Sequence, residues 1–148
     1  MLREATKKDV KNITKTIEDF FESENYSDYD PKMLEKFISS HMDSESTYKY
    51  IYEKDGQILG GLFCEIQRNQ INGKYYGNDN IWFTNPAISK LKRIKVAAGV
   101  FKYITKWVNK YALSGVVMLA HLETEASKKI LERLSFKNIR REYLMEVY

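Results

Sequence analysis

The sequence predicts a mixed α/β (α+β) fold, a central β-sheet flanked by helices, with its elements in the order β-α-α-β-β-β-α-β-α-β. Three observations carry this expectation. Segments in which apolar residues recur every second position interleave with segments of 3.6-residue periodicity. No internal repeat or low-complexity stretch interrupts the run. The 148 residues are 43% hydrophobic and 14% aromatic, enough for one real core. Residues 1–148 are therefore expected to form a single domain and not a disordered tail, whose composition would bury too little apolar surface to offset the entropy of folding.

After a short strand-like start, Thr6-Lys7-Lys8-Asp9 resembles a capping box with Asp in place of Glu. Val10, Ile13, Ile17, Phe20 and Phe21 follow at helical spacing, which predicts a first helix over about 7–22. An acidic, tyrosine-bearing loop follows, and Pro31 sits where a second helix, 31–41, begins. Residues 48–53 have strand composition, Lys54-Asp55-Gly56-Gln57 is a hairpin turn, and 58–67 is the partner strand. A turn around Asn72-Gly73 leads to a strand over 75–84, which Asn85-Pro86 ends.

The longest periodic segment comes next. Ile94, Ala97, Ala98, Phe101, Ile104, Val108 and Tyr111 make an apolar stripe. Lys92, Lys95, Gly99, Lys102, Lys106 and Lys110 make the opposite one, so one amphipathic helix of about 20 residues is expected. A short buried strand at 116–120, a helix carrying Ala126, Ile130, Leu131 and Leu134, and an alternating last strand over 138–147 complete the order.

Composition excludes several classes. The lone cysteine, Cys64, rules out an internal disulfide framework and fits a reducing cytoplasm. Within its strand it reads as a small buried apolar residue and not a nucleophile. No apolar run approaches the roughly 18 residues of a membrane span, and Met1-Leu2-Arg3-Glu4 lacks an apolar signal core. The expected location is cytoplasmic. Two histidines, one cysteine and no ligand spacing make a metal site unexpected.

The net charge of +4 hides an uneven distribution. Residues 1–79 hold 11 Lys/Arg against 15 Asp/Glu, residues 80–122 hold 7 against none, and residues 123–148 hold 6 against 5. Lys90, Lys92, Arg93 and Lys95 surround the start of the long helix, where the macrodipole already places positive potential, so each cation costs about 0.3–1 kcal/mol there. A bound anion reverses that sign, which points to a polyphosphate ligand; the other reading is a soluble exposed face. A nucleic-acid backbone tracked by Lys102, Lys106 and Lys110 is a further reading, without an accompanying motif. His41, at the end of a surface helix, is expected to be solvated. His121 follows a strand's C-terminal end, where α/β sheets place ligand-binding groups, and acts there either as a base or as a loop hydrogen bonder.

Four stretches together resemble the GNAT superfamily of N-acetyltransferases over essentially the whole chain. Leu2-Arg3-Glu4-Ala5-Thr6-Lys7-Lys8-Asp9-Val10 looks like its first strand and helix cap. Tyr52-Glu53-Lys54-Asp55-Gly56-Gln57-Ile58-Leu59-Gly60-Gly61 is similar to its hairpin with the frequent phrase dGkivG. Ile81-Trp82-Phe83-Thr84-Asn85-Pro86 resembles the fourth strand with its terminal proline, and residues 126–136, ending Leu134-Ser135-Phe136, resemble the closing helix and its lGF turn. Within the family the chain is most similar to small members common in phage genomes, which would place it in the host cytoplasm.

The resemblance implies an acetyl-CoA-dependent N-acetyltransferase that moves an acetyl group to a primary amine by direct attack. In the family, pyrophosphate lies on amides of the turn before the third helix, in the pattern R/Q-x-x-G-x-G/A, which falls here on Lys92-Arg93-Ile94-Lys95-Val96-Ala97. Lys92, Arg93, Lys95, Val96 and Ala97 are thereby implied to hold phosphates, and Thr84 with its strand neighbours to pair with the pantetheine arm. Lys95 stands where the middle glycine lets backbone approach phosphate; it either points its ammonium at a phosphate or obstructs the cradle. The family's base position aligns with Asp79, with His121 the alternative. Its proton-donating tyrosine aligns with Leu131, which has no proton to give, and the asparagine before it with Thr124. Tyr143 and Tyr148 are possible substitutes. Base catalysis contributes about 10²–10⁴-fold, so loss of the tyrosine still permits activity.

The region between the first two helices borders the acceptor site in this family. Here residues 18–30 carry Glu18, Asp19, Glu22, Glu24, Asp28 and Asp30 without a Lys or Arg, which favours a cationic small-molecule or protein amine as acceptor, or is simply a solvated loop. The alternative function is a catalytically degenerate binding or virion-associated module, on the strength of the replaced glycine and tyrosine.

Overall fold

The computed structural model describes residues 1–118, 125–137 and 145. Its centre is a five-stranded mixed sheet in the order β1 (Leu2–Glu4), β2 (Tyr48–Lys54), β3 (Gln57–Arg68), β4 (Tyr75–Thr84) and β5 (Val116–Val117). The first four strands pair antiparallel and β5 runs parallel to β4. The hairpin between β2 and β3 turns on Asp55 and Gly56, both at positive φ (51° and 75°). Two successive positive φ values are what a two-residue loop needs to match strand twist, and Asp-Gly tolerates them at little cost.

Helices α1 (Val10–Ser23) and α2 (Pro31–Asp43) cover one face of the sheet. Ile13, Ile17 and Ile38 are fully buried against Ile51, Phe63, Ile81 and Phe83. The turn Lys7–Asp9 before α1 is a 3-10 helix closed by the expected Thr6/Asp9 capping box. Asp9 also takes a bidentate Arg3 guanidinium at 2.8 and 2.9 Å, tying β1 to the start of α1. Asp30 caps α2 by accepting the amides of Lys32 and Met33. At the other end of α2, the Lys49 ammonium donates to the carbonyls of His41 and Ser44, as a cation at a helix C-terminus should.

The opposite face corrects one expectation. The single helix of about 20 residues is two helices, α3 (Lys90–Gly99) and α4 (Ile104–Lys110). The break has a tertiary cause. The buried Tyr48 hydroxyl donates to the Val100 carbonyl, while the amides of Phe101, Lys102 and Ile104 reach only three residues back, to Ala98, Gly99 and Phe101. The ladder tightens into a turn without leaving that carbonyl unpaired. The lysine stripe is therefore divided between two helices, and Lys102 and Lys110 lie over the rings of Tyr103 and Tyr111.

Two glycines let these helices sit close to the sheet. A Cβ on Gly60 would lie 2.6 Å from Val96 Cγ1 and 2.7 Å from the Phe83 carbonyl oxygen, so α3 rests on bare β3 backbone. A Cβ on Gly77 would lie 2.4 Å from Trp107 Cζ3, so the α4 indole packs directly against bare β4 backbone. Helix α5 (Glu125–Arg133) buries Ile130. The strand expected at 116–120 is described only as Val116–Val117, and the last strand expected at 138–147 lies outside the described residues, apart from Met145.

Candidate functional site

Strand β4 is irregular where it matters most. Phe63 of β3 opposes Ile81, and the next residue, Cys64, opposes Asp79, so Asn80 is an extra residue in β4. Such a bulge bends the strand and re-aims a side chain. On its other edge, β4 pairs among the described residues with β5 only at Gly77–Val116 and Asn78–Val117. Beyond that point a cavity of about 820 Å³ lies along β4 from Asp79 to Thr84. It reaches the α1–α2 connection on one side and the first turn of α3 and the start of α5 on the other.

Of the residues expected at the site, Asp79, Thr84, Arg93 and Ala97 line this cavity. Asp79 is 5% exposed. Thr84 Oγ1 accepts from Arg93 Nε at 2.9 Å, and Arg93 also pairs with Glu24 at 3.6 Å, so its guanidinium links α3 to β4 and to the end of α1. Val96 points elsewhere: it is buried beneath α3 against Gly60. Lys95 is exposed and Lys92 half-buried, both outside the cavity lining, whereas Lys90 belongs to it. His121, Thr124, Tyr143 and Tyr148 lie outside the described residues.

The residues Lys92-Arg93-Ile94-Lys95-Val96-Ala97 lie within the first turns of α3. Ser89 is the N-cap, its Oγ accepting the Lys92 amide at 3.3 Å, and the Arg93 amide bonds the Ser89 carbonyl. These six residues are thus inside α3, where amides from Arg93 onward are used by the helix itself. Without a glycine at position 95 nothing unwinds the first turns. The outward amides belong to Lys90 and Leu91, and the macrodipole acts there.

His41 departs from the solvated surface residue expected. It is 3% exposed, its ring packed edge-on to Phe37 and against Phe63. Nδ1 lies 2.9 Å from the Phe37 carbonyl oxygen and Nε2 lies 2.8 Å from Asn80 Nδ2. Burial pushes its pKa below the ordinary histidine value. Cys64 is fully buried as expected, and burial, with the Asp79 charge adding to it, holds its thiol well above the usual range and so unreactive.

Three of the six rim acids are engaged within the protein. Glu24 and Asp30 line the cavity, but Glu24 pairs with Arg93 and Asp30 caps α2, while Asp19 pairs with Lys15 on the surface of α1. What the rim offers is aromatic. Phe21 packs on Tyr26 and Tyr29 at 4.9 and 5.0 Å between ring centroids, and Phe37, Met33 and Trp82 extend the wall. Tyr26, Met33 and Phe37 are 42%, 61% and 38% exposed, which gathers exposed apolar surface at one cavity mouth. The sequence reading missed this wall and the His41–Asn80 pair, while Lys90 belongs to the basic cluster expected at the helix start. One signal was present: Asn78-Asp79-Asn80 interrupts the alternation of β4 with three polar residues, as a bulge does.

No protein-family model and no curated protein sequence matches the chain. Solved structures do match its fold. The structure of AAC(6')-Iy in complex with the bisubstrate analogue CoA-S-monomethyl-acetylneamine is similar at TM-score 0.76 and 13% identity, covering 100% of this chain and 97% of that one. The aminoglycoside 6'-N-acetyltransferase AAC(6')-IG from Acinetobacter haemolyticus is similar at TM-score 0.73 and 12% identity, covering 100% and 98%. A transcriptional regulator from Bacillus halodurans is similar at TM-score 0.76 and 12% identity, covering 99% of each chain. The mixed α+β fold of acetyltransferases is thus shared over the full length, at identities that speak for the fold alone.

Proposed function

We propose that the chain, as one catalytic domain, is an acetyl-CoA-dependent N-acetyltransferase acting on a primary amine. The observation that carries this is the bulge at Asn80, where β4 lines a cavity that also meets a basic helix N-terminus. The donor set fits the cofactor. Backbone groups along β4 up to Thr84 suit the amides of a pantetheine arm, and the outward amides of Lys90 and Leu91 with the Lys90 and Lys92 ammonium groups suit a pyrophosphate. Arg93, held between Thr84 and Glu24, braces α3 against β4; Val96 docks the helix by its side chain, Ala97 keeps the wall thin, and Lys95 supplies charge from outside. Bound acetyl-CoA supplies an acetyl group activated as a thioester, whose C–S bond breaks as the amine's N–C bond forms.

Asp79 is the chain's base in this reading: its carboxylate takes the proton that the amine gives up. Leu131 packs into the apolar cluster around Trp107 and donates nothing, so the thiolate's proton comes from water. The aromatic wall excludes bulk solvent around the amine, and its ring faces attract a single ammonium group. The acceptor is then a cationic amine carried on an apolar or aromatic body, because walls of Phe, Met, Leu and Ile satisfy few hydroxyls.

Calorimetry with acetyl-CoA tests the first half of this reading; no heat and no thermal shift at about 1 mM ligand would sink it. Thiol release with phenethylamine, putrescine, kanamycin and a peptide with a free α-amine tests the second. Binding without turnover on any amine selects the catalytically degenerate module, which Leu131 favours.

A further inference from the structure

Asn80 is the residue that the β4 bulge inserts, and it joins the cavity to the buried ring of His41. The sense of the Asn80–His41 hydrogen bond is set by a third atom. The Phe37 carbonyl oxygen, 2.9 Å from His41 Nδ1, has no proton to give, so Nδ1 carries the hydrogen and donates it. In the neutral imidazole Nε2 is then the acceptor, and only the NH₂ branch of the Asn80 carboxamide can face it. The amide oxygen is on the other branch, and among the described residues it makes no hydrogen bond. The surroundings keep the ring neutral: burial lowers its pKa and Lys49 of β2 acts in the same direction, against the Phe37 carbonyl and Glu65 of β3. Asp79, next in β4, opposes Cys64 in the register and lines the same cavity as Asn80.

We propose that Asn80 Oδ1 is the hydrogen-bond acceptor for the incoming amine, and that His41 is the positioning residue that keeps the carboxamide turned that way. This rests on the acetyl-transfer reading. An amine that donates one N–H to Oδ1 is held with its lone pair free for attack, and the aromatic wall takes the rest of the molecule. Protonating His41 reverses the arrangement. Nε2 then carries a hydrogen, Asn80 must rotate to offer it oxygen, and the cavity meets an NH₂ group that repels an amine N–H.

The test uses the full chain with acetyl-CoA and phenethylamine, in the wild type and in Asn80→Ala and His41→Phe, the second of which keeps a ring between Phe37 and Phe63. Asn80→Ala should raise KM for the amine by roughly three- to tenfold, as expected for one lost neutral hydrogen bond. KM for acetyl-CoA should stay within about twofold. In the wild type KM for the amine should rise further as pH falls through the His41 titration, and that limb should be missing from both variants. Nitrogen NMR of the labelled protein without ligand should show His41 Nε2 unprotonated at about pH 8, and an Asn80 NH₂ signal that follows the His41 titration and loses it in His41→Phe. An unchanged amine KM in Asn80→Ala, a low-pH limb that persists in His41→Phe, or a protonated Nε2 overturns the proposal. If none of the four panel amines is acetylated, the parent reading fails and the amine's place at Asn80 with it, while the NMR result still decides what orients the carboxamide.

Discussion

Gly77→Ala should strain the molecule where the cavity begins. The new methyl group would sit 2.4 Å from Trp107 Cζ3 and 2.7 Å from Cη2, against an ordinary carbon–carbon separation of about 3.5–4.0 Å. The indole has little room to retreat: Trp107 is 7% exposed, its Nε1 donates to the Ser46 carbonyl at 2.8 Å, and its ring packs on Tyr48. Overpacking of this kind costs about 1–3 kcal/mol. In a chain of this size that lowers the melting temperature by about 2–12 °C. Part of the strain should reach the cavity, because the Gly77 amide bonds the Gly115 carbonyl and Gly77 opposes Val116 in the only β4–β5 pairing described. Trp107→Phe removes the benzo ring atoms that clash, at the expense of the Ser46 hydrogen bond. Urea denaturation of the wild type, both single variants and the double variant, followed by circular dichroism, gives the coupling. The double variant should be more stable than the sum of the singles predicts by about 1 kcal/mol or more. Additivity to within about 0.5 kcal/mol would refute the close approach of α4 to β4.

Asp79→Asn should lower kcat by about 10²–10⁴-fold if Asp79 is the base, with acetyl-CoA affinity by calorimetry unchanged; a loss below about threefold removes it from that role. Reversing Lys90 and Lys92 to Glu should weaken acetyl-CoA roughly tenfold or more, whereas the same reversal at Lys106 and Lys110 on α4 should leave the affinity alone, and equal effects at both places would mean that the phosphates lie elsewhere. Stability should fall on mild acidification. His41 has a folded-state pKa below its unfolded value of about 6.5, so the unfolded chain binds the extra proton; the contribution is complete above that value and is lost as pH falls from it toward the folded pKa. Denaturant titrations across that range should show the slope in the wild type and not in His41→Phe. Asp9, lowered chiefly by its Arg3 hydrogen bonds, acts in a separate window, its contribution present above about pH 3.8 and lost as pH falls through its folded value.

Much of the scaffold was legible because it is written in local chemistry. The β2–β3 turn rests on Asp55-Gly56, the start of α2 on Asp30 and Pro31, and the limits of β4 on Tyr75 and the residues before Pro86. Propensity and capping act over a few residues, so reading along the chain recovers them. The division of α3 from α4 was hidden for the opposite reason: a perfectly periodic stripe is interrupted by a tyrosine 52 residues away that takes the Val100 carbonyl. The acid count of residues 18–30 left open what those charges touch: Glu24 pairs with Arg93 and Asp30 caps α2.

The sequence by itself determined the kinds and order of the elements from β1 to β4, the buried cysteine and the concentration of cations around Lys90–Lys95, because each follows from periodicity, composition or nearest-neighbour chemistry. Tertiary structure alone decided which side chains meet. The extra residue at Asn80, the burial of His41 beside it, and the aromatic wall around Tyr26 depend on the register of β4 against β3 and on how α2 lies across the sheet. A one-residue slip in register turns every side chain to the other face, and such long-range pairing leaves no mark in any short window of sequence.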